Sequence, residues 1–266
     1  MKVEALKKDD LVKYCVSKGI CKEKENFTKV QLISKVYGYR KMQVDSAKKD
    51  GTDTELLKIK INHLADEYKS LLATKINSRK EEMKEDDNSH YLIYQVLGIS
   101  HEEGGLIDIY QNTGRFLYKY AGSFLEEVAS LCLFFSNTAG GKTLVENTEG
   151  KRPKTFEIDF LKDNDAIEIK WRDATTDGDH ITKEHTRVKV IKGHGYNPIR
   201  VMFYYPQREQ AIRIQETLKT LYNGVSGEYY AGDEAWDYIT KVSGYDLKLI
   251  LMEIVDKRAS ESESNQ

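Results

Sequence analysis

The spacing of apolar positions changes along the chain, and each change marks an element. Between residues 53 and 84, Leu57, Ile61, Leu64, Tyr68 and Leu71 recur at alternating intervals of four and three with charges between them. That spacing predicts one long helix with an apolar seam. Ahead of it, LKKDDLVKYCVSKGI and FTKVQLISKVYGY predict two short helices, the first ended by Gly19 and the second capped by Thr28. The polar run EEMKEDDNSH reads as a linker, and a helix is expected from about 113 to 135. From 156 to 171 the period drops to two. Phe156, Ile158 and Phe160 alternate with Glu157 and Asp159, and Ile167, Ile169 and Trp171 alternate with Glu168, Lys170 and Arg172. These are two amphipathic strands joined by a tight turn at Asp163-Asn164. IRVMFYY, 199 to 205, is nearly all apolar, as a central strand buried on both faces would be. A helix follows Pro206 and runs to Asn223-Gly224, two short helices come after, and the tail from 256 to 266 is expected to be disordered.

The hairpin carries an unfavourable arrangement. Its register sets Phe160 opposite Ile167, Asp159 opposite Glu168 and Glu157 opposite Lys170, so two carboxylates face each other at a separation of about 5 Å, where like charges repel. A divalent cation between them would reverse that repulsion, and Mg²⁺ is often held by one or two carboxylates together with substrate phosphate oxygens. Lys170 lies two residues beyond Glu168 and so points to the same side of the strand, where its ammonium can orient a water or offset charge on a phosphate. The same residues also fit a solvated hairpin face with a Glu157–Lys170 pair.

Composition narrows the field. The 266 residues are enough for one large domain with an extension. The longest apolar run, near Leu131 to Phe135, is too short to cross a bilayer, and the N-terminus lacks a signal-peptide core, so a cytoplasmic location without membrane contact is expected. Cys15, Cys21 and Cys132 form no CxxC pair and suggest neither a disulfide framework nor a thiolate zinc site. A net charge of −2 hides an uneven distribution, for residues 1–50 hold thirteen Lys/Arg against seven Asp/Glu. That segment resembles the small nucleic-acid binding modules of the SAP type, and it reads equally as a basic helical hairpin packed on the rest of the chain.

An Asp, a short hairpin and then Glu-X-Lys, present as Asp159 and Glu168-Ile169-Lys170, resemble the signature of PD-(D/E)XK nucleases. The proline expected before the first acid is Ile158 here. The stretch EIKWRDATTDGDHITKEHTRVKVIKGHGYNPIRVMFYYPQREQAIRIQETLKTLY is similar to the ApaLI-like group of type II restriction endonucleases, with the likeness extending over about residues 105 to 250. The resemblance implies an α/β fold with a mixed central sheet flanked by helices, in α-β-β-β-α-β order, spanning about 90 to 255. Residues 1–50 would form a helical N-terminal extension and 51–89 a long helix with its linker. It further implies Mg²⁺-dependent cleavage of both strands of a short palindromic DNA site, and a homodimer matching the two-fold symmetry of that site. Asp159 and Glu168 would hold the metal and Lys170 would position the water. Glu127 would be the accessory acid from the preceding helix, with Glu126, about 100° away on that helix, as the alternative.

Other features carry less. TAGGKT, 138 to 143, has Ser136 where a Walker A loop needs glycine, so no nucleotide cofactor is expected, and Lys142 reads as a phosphate contact. His180, His185 and His194 have no cysteine pair to complete a zinc site. Arg172, Lys183, His185 and Arg187 are candidates for DNA contact, and Arg208, Gln210 and Arg213, at a helix start, for base reading. A repair or recombination nuclease with the same site would cut by DNA structure without sequence preference. A noncatalytic DNA-binding protein would depend on residues 1–50 and be indifferent to Mg²⁺.

Overall fold

A computed structural model describes residues 6–22, 25–49, 51–137, 139–172 and 178–263, with the side chains of 178–180 and 262 left out. The elements in chain order are α1 (Lys8–Ser17), α2 (Lys29–Lys49), α3 (Asp53–Met83), α4 (Tyr91–Val96) and α5 (His101–Ser136). There follow β1 (Gly141–Glu146), β2 (Thr155–Lys162), β3 (Asp165–Arg172), α6 (Gly178–Gly193), β4 (Asn197–Tyr204), α7 (Glu209–Gly224), β5 (Glu228–Ala231), α8 (Asp233–Ser243) and α9 (Leu247–Glu263). From α5 to β4 this is the expected α-β-β-β-α-β order within an α/β fold. The sheet runs β1-β2-β3-β4-β5, antiparallel on the β1-β2-β3 side and parallel from β3 to β5.

Two layers of helix cover it. Phe160, Ile167, Ile169, Val201 and Phe203 face α5, α8 and the seam of α3 in one core. On the other face, α6 and α7 set Val190, Ile191, Val188, Ile214 and Leu218 against Phe156, Ile158 and Tyr229. The seam of α3 buries Leu57, Ile61, Leu64 and Tyr68 against α5 of the same chain and ends there, since Leu71 is exposed. Helices α1 and α2 have a small core of their own around Leu11, Cys15, Leu32 and Val36.

Several elements depart from the expected ones for definable reasons. Helix α5 starts twelve residues before 113, at a complete capping box in which Ser100 accepts from the Glu103 N–H and the Glu103 carboxylate accepts from the Ser100 N–H. The segment after α5, for which no strand was expected, contains β1. Its glycines serve packing: a Cβ on Gly140 would lie 2.5 Å from the Phe160 ring and 2.8 Å from the Leu161 carbonyl oxygen. Thr138, at the start of the TAGGKT run, and residues 173–177 lie outside the described residues. Helix α9 continues to Glu263, into the segment expected to be disordered.

The alternation in β2 also breaks. Gly141 pairs with Leu161, but Thr143 pairs with Ile158, so two steps along β1 match three along β2. The extra residue is a bulge at Asp159-Phe160. It sends Phe160 to the α5 side while Ile158, two residues earlier, packs on the α6 side.

Candidate active site

The turn Asp163-Asn164 and the pairs Lys162↔Asp165, Leu161↔Ala166 and Phe160↔Ile167 agree with the expected register. Pairing then stops and β2 and β3 part, so the expected pairs Asp159 with Glu168 and Glu157 with Lys170 do not form in the ladder; Glu157 is ion-paired with Lys142 of β1 instead. A continued ladder would send the Ile169 N–H to the main chain of β2. It goes instead to the Asp159 carboxylate, Oδ2, at 2.9 Å. The bulge and the parting of the strands together open a gap in the sheet, with Asp159 in it.

On the α6 side of the gap stand Glu168 and Lys170. Asp159 and Glu168 are 5% and 4% exposed, so neither is a solvated surface acid. The Lys170 ammonium is ion-paired with Glu168, lies 3.5 Å from Asp159 Oδ2 and donates to the Ile169 carbonyl at 3.0 Å. Arg187 of α6 brings Nη1 to 3.0 Å from Glu168 Oε1 and Nη2 to 2.8 Å from Oε2, and it also donates to the Glu157 carbonyl. Two cations therefore offset the facing acids within the chain itself. Even so, Glu168 Oε2 is buried without a donor aligned to it.

The electrostatics separate the two acids. Burial opposes ionisation of Asp159, but Lys170, the Ile169 N–H, Arg187 and Lys142 outweigh it, and its pKa lies below the usual value. Glu168 is pushed up to about 7 by burial and by the charge of Asp159. Burial works against the charge on Lys170, but Glu168 and Asp159 overcome it and raise its pKa.

On the α5 side, oxygens of Glu126, Glu157 and Asp159 lie within 4.8 Å of one another. Lys142 of β1 is ion-paired with Glu157 and lies 3.6 Å from Glu126. Glu127 is outside this cluster, its Oε2 accepting from the Tyr68 hydroxyl at 3.0 Å. Around the gap, four carboxylates meet three cations. The oxygen-only donor set with its residual negative charge suits a hard cation.

The remaining candidates separate into inward and outward groups. Lys142 and Arg187, expected at DNA, are turned into the site, with side chains 20% and 14% exposed. Lys183 and His185 are exposed on α6, and Arg172 is exposed with its guanidinium over Tyr118 and Trp171. Arg208, Gln210 and Arg213 are exposed at the start of α7, Arg213 being paired with Glu209. His194 is tied by Nε2 to the Glu146 carbonyl at 2.9 Å, and the side chain of His180 lies outside the described residues.

Sequence reasoning weighed Glu157 only as a partner for Lys170 and missed the buried Arg200–Glu184 pair below the site. The signal for the pair was one arginine in an otherwise apolar central strand, which needs a buried acid beside it.

The sequence model of the ApaLI-like restriction endonucleases matches residues 25–256. The chain belongs to this family. It is therefore a nuclease of a restriction system, a hydrolase acting on DNA, and its five-stranded mixed sheet flanked by helices is a restriction-endonuclease-like fold. No curated protein and no solved structure matches the chain. Among the described residues, no helix of this endonuclease is long and apolar enough to cross a membrane.

Proposed function

We propose that this restriction endonuclease is cytoplasmic and uses Mg²⁺ to hydrolyse both strands of a short palindromic DNA site, acting as a homodimer without a nucleotide cofactor. The observation that carries the reading is the convergence of Asp159, Glu168 and Lys170 at the parting of β2 and β3, beside Glu126 and Glu157. Asp159, Glu126 and Glu157 would hold the ion, with Glu168 next to them. A bound Mg²⁺ supplies a Lewis acid for the phosphoryl oxygens and lowers the pKa of a water.

The chain's own groups do the rest. Lys170 is held by Glu168 and the Ile169 carbonyl, and its remaining N–H, on the side of Asp159, would orient the attacking water. The water oxygen forms a bond to phosphorus, the bond from phosphorus to O3′ breaks, and the proton released by the water is balanced by one taken up at O3′. Arg187 fixes the Glu168 carboxylate and ties α6 to β2, and so positions both strands. Arg172, Lys183 and His185 would meet the DNA backbone, with Arg208, Gln210 and Arg213 near base edges.

Incubating the protein with long duplex DNA and Mg²⁺ tests the proposal. Discrete fragments are expected, none should form in excess chelator, and sedimentation should give two copies per particle. A smear of fragments would remove the site specificity, and no cutting would remove the proposal. Lys170→Ala should slow cutting by about 10²- to 10⁴-fold with DNA binding retained.

A further inference from the structure

A cavity of about 390 Å³ lies between the N-terminal helices and the catalytic region, with Lys18, Arg40 and Lys60 on one side and Glu126, Asp159 and Lys142 on the other. We propose that Lys60, with Lys18 and Arg40, forms a subsite for a DNA backbone phosphate next to the one being cut, so that the N-terminal helices complete the substrate cleft. The inference rests on the nuclease reading and assigns a place to the neighbouring nucleotide of the same strand.

Three observations support it. The cations come from separate elements, the end of α1, the middle of α2 and the first half of α3, yet they converge on one space. Lys60 feels that convergence: burial and the charges of Arg40 and Lys18 hold its pKa below the usual lysine value. Gathering like charges in a half-buried site is unfavourable, and an anion relieves it.

Second, the ammonium is held in place by neutral groups. Lys60 Nζ donates to Gln43 Oε1 at 2.6 Å, and the amide of Gln43 donates to the Tyr39 hydroxyl at 2.5 Å. The side chain is thereby oriented with protons remaining for a ligand, because an ammonium has three donors. Third, the volume is at the low end of the range of about 300–1,000 Å³ for ligand pockets, which suits one nucleotide unit of a bound strand reaching into the space. A polyanion with one unit at Asp159 and the next at Lys60 satisfies both walls. Glu67 and Glu127 also line the space, and a phosphate seated at Lys60 would have to lie on the side away from them.

The test is DNA binding by the full chain over a salt series, with Ca²⁺ replacing Mg²⁺ so that binding is read without relying on cleavage. Each phosphate contact contributes a slope of about 0.9 in log affinity against log salt. Lys60→Met should reduce the slope by about one unit and Lys18→Met/Lys60→Met by about two, while Lys60→Arg should restore it. Circular dichroism and melting would confirm that each variant is folded. Folded variants with unchanged slope and affinity would overturn the subsite even if the wild type cuts DNA. A reduced slope in variants of a wild type that never cuts would support a backbone phosphate seated at Lys60 and remove the proposed Mg²⁺-dependent cleavage.

Discussion

Lys170 reaches both acids of the motif, and Arg187 holds the second of them from a different helix. Burial, and after it the charge of Asp159, raise the pKa of Glu168, and the repulsion between the two acids is met first by side chains of the same protein. What these cations leave over lies on the α5 side, at Glu126 and Glu157. Glu126 shares the carboxylate cluster and Glu127 is bonded to Tyr68, so the two neighbours should differ when replaced. Glu126→Gln is expected to cut at least ten-fold more slowly than wild type at limiting Mg²⁺ and to recover in part at high Mg²⁺, as the loss of one ligand to the metal would cause. Glu127→Gln should cut near the wild-type rate. Equal losses in rate would count against the assignment of Glu126. The sequence could narrow this acid to two positions only, because adjacent helical residues point about 100° apart and the rotation of α5 is set by its packing on α3 and the sheet.

At the scale of elements, the helices and strands with strong periodicity were legible: the seam of α3, the hairpin with its turn and the three pairs beside it, the apolar β4 and the amphipathic α7. The shorter strands were not. β1 buries only Val145 and is made of GKTLVE, so its pattern carries almost no apolar signal, and β5 has only four residues. The start of α5 was legible in principle, because Ser100 and Glu103 spell a capping box. The bulge in β2 was not, because it exists only against the register of β1. The pair below the site belongs to this scale as well. Arg200 of β4 donates to Glu184 of α6 at 3.0 Å, and Tyr222 of α7 donates to the same oxygen, so one buried carboxylate joins three elements. Arg200→Met should destabilise the fold by about 3–5 kcal/mol by leaving Glu184 buried without its main partner, as measured by denaturant unfolding. Burial opposes ionisation of Glu184, but Arg200, Arg187 and Tyr222 overcome it and hold its pKa below the usual value. A carboxylate of that kind adds stability at pH above its unfolded pKa, and the gain is lost as pH falls through its folded pKa. Acidification should therefore destabilise the wild type more than Arg200→Met, and an equal pH dependence in both would contradict the network.

The whole molecule divides its work between the two faces and the gap. One face of the sheet carries α5 with Glu126, the other carries α6 with Arg187, and the bulged strand lets Asp159 serve both. The family match begins at residue 25, so α1 lies ahead of it and α2 and α3 lie within it. These N-terminal helices have a core of their own yet share a cavity with Asp159 and Glu126 of the candidate site, which composition alone could not reveal: the basic excess of residues 1–50 was legible, its place beside that site was not. The central claim is that a divalent ion binds at the parting of β2 and β3. Diffraction from crystals soaked in Mn²⁺, an anomalous scatterer that takes the same oxygen ligands as Mg²⁺, tests it directly. The account predicts an anomalous peak about 2 Å from oxygens of Asp159 and of Glu126 or Glu157, absent in Asp159→Asn. A well-ordered site with no peak there, or a peak only at unrelated surface acids, would contradict it.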